Sequence, residues 1–215
     1  AEQMAEGSVN DATTNMTREL VENAIPDSLP LDLAAKIRVA SPDKADEMLK
    51  KGWKKYGWKS LNGKRYKATA DDVKTQFKKT LGNDPAMKNA GAGYESMVDD
   101  IFEQYGAANG TISGKAVMEL RNAMKGVKGG EGRDSLIPAA YGKMADQLDT
   151  LLTRTMNKAD KAAFSNDLAT YGGKKSLSKA VKNARGKRQG IPDEADVIGA
   201  AKYSKGGKYQ TGTGS

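Results

Sequence analysis

Leu136-Ile137-Pro138-Ala139-Ala140-Tyr141-Gly142-Lys143-Met144-Ala145-Asp146-Gln147-Leu148-Asp149-Thr150-Leu151-Leu152 is the stretch on which the fold class turns. Ile137, Tyr141, Met144, Leu148, Leu151 and Leu152 recur at three- and four-residue intervals, the period of one helical face. The spacing predicts a helix from about Leu136 to Met156. Reading toward the C-terminus, Asn157 and Asp160 start a helix carrying Ala163, Phe164 and Leu168, with Gly172-Gly173 as its end. A short basic helix with Leu177, Ala180, Val181 and Ala184 follows. Ile191-Pro192 then opens a last helix through Val197, Ile198 and Ala201.

Reading toward the N-terminus gives the same period. Ser113 is a cap for a helix with Val117, Leu120, Met124 and Val127 on its face. Tyr94, Met97, Val98, Ile101, Phe102 and Tyr105 form one stripe. Thr69 with Asp72 three residues on resembles a capping box, opening a helix with Val73, Phe77 and Leu81 inward and Gly82 as terminator. Ser41-Pro42-Asp43 precedes a helix burying Ala45, Met48, Leu49, Trp53 and Tyr56. Ser28 and Pro30 read as cap and first-turn residues for 31–40, and a helix over 11–24 stops before Pro26. One stretch reads differently: Trp58 to Tyr66 holds Asn62-Gly63, the pair favoured in a type I′ turn, and predicts a small hairpin near 58–66. The expected fold is therefore all-α, an irregular bundle of about eight to nine short helices. The expected domains are 1–82 and 93–202, with 203–215 as a flexible Gly-, Lys- and Ser-containing tail.

Composition narrows the chemistry. The 215 residues contain no cysteine and no histidine. Zinc sites built on thiolate or imidazole, disulfides, Cys–His nucleophiles and the Ser–His–Asp relay all need residues absent here. No apolar run approaches the ~18 to 20 residues of a membrane-spanning helix, and no charged-then-apolar leader opens the chain. A start at Ala1 suggests a processed or excised piece. Leu, Ile, Val and Phe make up only 33 of the 215 residues, whereas alanine contributes 29. Alanine favours helix but buries little area, so thin helical cores that need neighbours are expected. These features predict a soluble, basic component of an assembly, not a free-standing enzyme, with no cofactor and no metal.

The net charge of +8 is laid out in blocks: −6 over residues 1–49, +9 over 50–90, −2 over 91–170 and +7 over 171–215. Two readings follow: helix faces that attract one another within the fold, or a surface that docks on something acidic. Lys50, Lys51, Lys54, Lys55, Lys59, Lys64, Arg65 and Lys67 are interleaved with Trp53, Tyr56, Trp58 and Tyr66. Cations beside flat rings form a footprint for nucleic acid, although Trp53 and Tyr56 also continue a core stripe. A second cluster, Lys174, Lys175, Lys179, Lys182, Arg185, Lys187 and Arg188, has no aromatics in its immediate run.

Carboxylates offer little. Tyr94-Glu95-Ser96 places a glutamate where a cell-wall-degrading transglycosylase would hold its general acid, but that role requires a desolvated cleft. Asp99-Asp100 with Glu103, and Asp146 with Asp149, are spaced for one helix face and read as solvated. The glycines of Lys128 to Gly132 lack phosphate-loop spacing and read as a linker.

One family-level pattern stands out. Asp99-Asp100-Ile101-Phe102-Glu103-Gln104-Tyr105-Gly106 leads to Gly110-Thr111-Ile112-Ser113-Gly114 and Leu120-Arg121. Then come Leu148-Asp149-Thr150-Leu151-Leu152, Leu168-Ala169-Thr170-Tyr171, Leu177-Ser178-Lys179-Ala180-Val181 and Ile191-Pro192. This order resembles the helical region of large internal virion proteins of tailed phages, the ejection or pilot proteins, which are tape-measure-like structural proteins. Gly172-Gly173 and Ile191-Pro192-Asp193 depart from that pattern. The resemblance covers about residues 90–215 and brings no catalytic residues with it. It implies a structural protein in the virion interior near the portal and tail, reaching the host envelope after ejection. Its implied partners are portal, tail or core proteins and further copies of itself in a ring or tube. The alternatives from the residues are a non-specific nucleic-acid-binding module and a fragment of a transglycosylase-like enzyme.

Overall fold

The computed structural model of the chain describes residues 2–106, 109–129, 136–187 and 191–201, with side chains from Asp11 onward. Among these, ten α-helices account for nearly all regular structure: α1 Glu2–Ala24, α2 Leu31–Arg38, α3 Pro42–Tyr56, α4 Ala70–Leu81, α5 Pro85–Ala90, α6 Tyr94–Gln104, α7 Gly114–Gly126, α8 Leu136–Thr153, α9 Lys158–Gly186 and α10 Glu194–Ala201. Two three-residue strands, β1 Arg65–Lys67 and β2 Thr111–Ser113, complete the set. The fold is all-α, as the periodicity predicts.

Two compact units divide the chain. One contains residues 1–60 and 162–215, the other residues 61–161. This division differs from the expected split between residues 82 and 93. That stretch is no linker, because Asp84 caps α5 through the Ala86 N–H at 2.9 Å, with Pro85 in the first turn. A Cβ added to Gly91 would meet Leu81 and Met144, so the segment lies against α4 and α8.

The 61–161 unit is contiguous in sequence. Phe77 of α4 meets Tyr94 of α6 edge-on, ring centroids 5.8 Å apart. Val117, Leu120 and Met124 of α7 are buried, as are Tyr141, Met144, Leu148 and Leu152 of α8, and these two helices pack along their length. Thr69 and Asp72 form the capping box reciprocally, at 2.9 and 3.1 Å. Ser113 caps α7 by accepting from the Ala116 N–H.

The hairpin expected near 58–66 is absent. Lys59–Leu61 is instead a turn of 3₁₀ helix, and β1 pairs antiparallel with β2, Tyr66 opposite Ile112. The Asn62-Gly63 turn closes locally, but the strand partner lies in a distant part of the chain. Burial decides this pairing: Tyr66 and Ile112 are 3% and 1% exposed, and the Tyr66 hydroxyl donates to the Leu152 carbonyl at 2.9 Å. Desolvation pushes the Tyr66 phenol pKa above its ordinary value.

The other unit joins α1, α2, α3 and α10 with α9 from Ala162 onward. Its centre is a group of four rings. Trp53 lies 5.3 Å from Trp58 and 5.1 Å from Tyr171, and Trp58 lies 5.0 Å from Tyr171 and 6.4 Å from Phe164. Trp53 Nε1 donates to the Ala24 carbonyl at 3.0 Å, tying α3 to the end of α1. Trp58 sits at φ 59°, a backbone region that bulky residues rarely adopt. Ring packing holds it there, which is why the expected strand start at Trp58 does not form.

Two further expectations are corrected. Gly172-Gly173 does not end a helix, because α9 runs unbroken for 29 residues and includes the basic segment expected as a separate helix. Ser28 is not the cap of α2: Pro30 holds that position, and the Ser28 hydroxyl donates to the Tyr56 carbonyl instead. At the other end of this unit, Asp193 caps α10, accepting from the Asp196 N–H at 2.9 Å while its own N–H donates to Asp196 at 3.3 Å. The expected tail at 203–215 lies outside the described residues.

Candidate functional site: the cationic surface

The first basic cluster is continuous in sequence but belongs to two units. Lys50, Lys51, Lys54, Lys55 and Lys59 are in the discontinuous unit, whereas Lys64, Arg65 and Lys67 are in the contiguous one. Nor are its rings available for stacking on bases. Trp53, Trp58 and Tyr66 are 4%, 3% and 3% exposed, and all three serve the core. Tyr56 is half-buried, with the Lys55 ammonium 5.1 Å from its ring centroid. The aromatic half of the expected nucleic-acid footprint is therefore packing, and the cationic half remains.

Several cations have internal partners. Lys50 lies 2.6 Å from Asp46, Lys51 3.2 Å from Glu47, and Lys64 2.7 Å from Asp160. The Arg65 guanidinium donates to the Thr111 hydroxyl at 3.0 Å. Lys54, Lys55, Lys59 and Lys67 are exposed. In the second cluster Arg185 pairs with Asp43 at 3.1 Å, and Lys187 with Asp193 and Asp196 at 2.8 and 3.0 Å. These hydrogen bonds hold the Lys187 ammonium pKa above its ordinary value and the Asp193 carboxyl below its own, each partner being the main cause for the other. Lys175, Lys179 and Lys182 are exposed and Lys174 half-buried. Arg188 lies outside the described residues.

α3 and α9 bring parts of the two clusters together. Asp43 meets Arg185, the buried Asp46 accepts from the Ser178 hydroxyl, and Trp53 meets Tyr171. Residue numbers rise on α3 as they fall on α9, so the helices run antiparallel. The sequence gives no sign of this juxtaposition, since more than a hundred residues separate the partners. A nearer signal is legible in hindsight: Tyr171, Lys174 and Lys175 fall at i, i+3 and i+4, and both ammoniums stand over the Tyr171 ring, at 5.1 and 5.5 Å. The second cluster, which shows no aromatic in its own run, thus has Tyr171 as an aromatic neighbour.

The carboxylates are also accounted for. Lys74 lies 2.6 Å from Asp99, which raises the lysine pKa, chiefly through that hydrogen bond. Arg121 binds Asp149, and Lys125 reaches both Asp146 and Asp149. Asp99 of α6 and both Asp146 and Asp149 of α8 thus pair with cations of neighbouring helices, and the charge blocks attract within each unit. Glu95 is exposed on α6, where its carboxylate accepts from the Tyr94 hydroxyl at 3.4 Å. The desolvation a catalytic acid requires is not present there. Among the described residues, no group of three or more His, Cys, Asp or Glu side chains is placed to hold a metal ion.

One cleft was not foreseen. Between α4 and α8 of the contiguous unit lies a groove of about 340 Å³, with Val73, Phe77, Leu148 and Leu151 in its wall and Lys67 and Arg154 on its lining. It is spanned by a Gln76–Gln147 amide hydrogen bond at 3.3 Å. No helix among the described residues is long and apolar enough to cross a membrane. What the surface offers chemically is point positive charge on rigid helices, suited to neutralising phosphates or carboxylates. In comparison with known proteins, the chain matches no family model, no curated protein and no solved structure.

Proposed function

We propose that the chain is a helical structural module of a tailed-phage internal or ejection protein. In this reading it is packed in the virion interior near the portal and tail, contacts portal, tail or core proteins and other copies of itself, and helps form a conduit for the genome. The observation that supports the reading is the ordered run of segments from Asp99 to Ile191-Pro192, which falls on the amphipathic helices α6 to α9, on the short strand β2 and on the lead into α10. Composition agrees with it: small alanine-containing cores without disulfides unfold at modest cost, as passage through a narrow channel demands. The test is quantitative mass spectrometry of purified virions of the encoding phage, before and after genome release. The polypeptide should be present in full particles and lost from emptied ones. Full retention after release removes the ejection role, and absence from full particles removes the virion reading altogether.

A second reading, a non-specific nucleic-acid-binding module, is favoured by the exposed lysines of α3 and α9. With Trp53, Trp58 and Tyr66 buried, those lysines offer chiefly phosphate contact.

A further inference from the structure

We propose that the outer seam between α3 and α9 is a binding site for the phosphate backbone of duplex nucleic acid, with Lys54, Lys175 and Lys182 as its principal cations. The claim rests on the nucleic-acid reading, naming its site and its ligand, and does not depend on the virion reading. The three contacts along the seam pin the register of the helix pair. Lys50 and Lys54 follow Asp46 by one turn and by two along α3, on the solvent-side flank of the contact line. On α9, Lys175 and Lys182 follow Tyr171 and Ser178, each by four residues, and so stand beside the contact line on its solvent side. Lys54, Lys175 and Lys182 are exposed.

The acidic groups facing this seam are already engaged. Asp46 holds Lys50 and Ser178, Asp43 holds Arg185, and Glu47 holds Lys51. They lie toward the start of α3, beside Ser178, Lys182 and Arg185, whereas Lys54 and Lys55 at its C-terminal end lie near Tyr171 and the lysines that follow it.

Duplex nucleic acid fits this surface better than an acidic protein does. A protein interface wants an apolar centre, yet the large hydrophobic residues exposed among the described residues are Leu31, Val39, Leu136, Ile191 and Ile198, none of them on α3 or α9. Single-stranded binding wants accessible rings, and here Trp53 and Trp58 are buried while Tyr56 and Tyr171 are half-buried with the ammonium groups of Lys55, Lys174 and Lys175 over their faces. What remains is rigidly spaced ammonium groups. Lys175 and Lys182 are two turns apart, about 10 Å along the helix axis, comparable with the ~12 Å width of the major groove, whose edges carry the phosphates. Lysine in place of arginine agrees with charge neutralisation without base reading.

The test uses the whole chain and a fluorescently labelled duplex of about 20 base pairs, with anisotropy measured at several salt concentrations. Lys54→Glu, Lys175→Glu and Lys182→Glu are combined in one variant. Lys78→Glu, Lys79→Glu and Lys88→Glu, exposed positions of the other unit outside both basic clusters, are combined in a second with the same change in net charge. The seam variant should bind at least about tenfold more weakly, with a salt slope shallower by about one for each contact removed. The second variant should stay within about twofold of the unaltered chain. Equal losses in both variants mean net charge alone and overturn the site, as does unaltered affinity in the seam variant or absence of duplex binding at ~50 mM salt. Salt-sensitive self-association without nucleic acid, abolished by the seam variant, gives the seam to the acidic N-terminal segment of a second copy and also overturns the proposal. If circular dichroism shows that the Glu variant has lost helix, the corresponding Gln set repeats the comparison.

Discussion

At Gly173 an added Cβ would lie 2.4 Å from the Asn23 carbonyl oxygen and 2.8 Å from its carbon, both backbone atoms that cannot swing aside. At Gly172 the same Cβ would meet nothing within 4 Å. Alanine is the better helix former by about 1 kcal/mol, so the two adjacent glycines should respond oppositely. Gly172→Ala should stabilise the protein by up to ~1 kcal/mol, and Gly173→Ala should destabilise it by roughly 1 to 3 kcal/mol through overpacking of α9 on the end of α1. Chemical denaturation of the two variants checks this, and equal effects would remove the close-packing explanation. The pair also shows why residue-level reading went astray at this point. Gly-Gly has the local signature of a helix end, but here one glycine is kept for the approach of a distant backbone, which no local pattern encodes. Trp53, Trp58 and Tyr66 repeat the lesson, since their lysine neighbours suggest a surface and their ring contacts make them core.

Elements whose start signals are local were legible. The Thr69–Asp72 box, Ser113 before α7 and Asn157 before α9 all act within three residues, and each is observed. β1 was not legible as a partner of β2, because three residues carry too little pattern to specify a distant strand. The α4 cap yields a prediction of its own. Thr69→Ala removes the acceptor for the Asp72 N–H and should cost about 1 kcal/mol, with Thr69→Ser recovering most of it. Asp72 in turn accepts from the Thr69 backbone and hydroxyl, which lowers its carboxyl pKa below 3.8. A depressed carboxylate contributes stability above its unfolded value and loses it as pH falls through the folded one. The first turn of α4 should thus stay ordered at pH 5 and loosen only below about 3.8. An NMR titration of Asp72 with a midpoint at or above 3.8 would contradict the cap. The Lys187–Asp193 link between α9 and α10 is bounded on both sides by the same logic. Its Asp193 contribution fades below pH 3.8, and its Lys187 contribution fades only above 10.5, because that ammonium is stabilised.

For the whole molecule, the order of helices along the chain is a poor guide to which of them fold together. Residues 61–161 form a contiguous unit with its own core, whereas residues 1–60 share theirs with the segment after Lys161. The glycines between 82 and 93, where composition changes, carry the local signature of a break. The contacts of α4 with α6 and α8 cross that break and cannot be seen in composition. The two divisions make opposite predictions for excised pieces. A fragment of residues 61–161 keeps Phe77, Tyr94, Val98, Leu120, Met144, Leu148 and Leu152 together, all buried, along with the β1–β2 pair. It should be helical by circular dichroism and unfold in a single cooperative transition, as a unit with its own core does. A fragment of residues 93–202 loses α4 from beside α8 and loses α1 and α3 from beside α9, so buried faces become solvent-exposed. It should show reduced helicity, a broad transition or aggregation. If instead 93–202 folds cooperatively and 61–161 does not, the chain is organised as its composition suggests, and the contact-defined units are not its folding units.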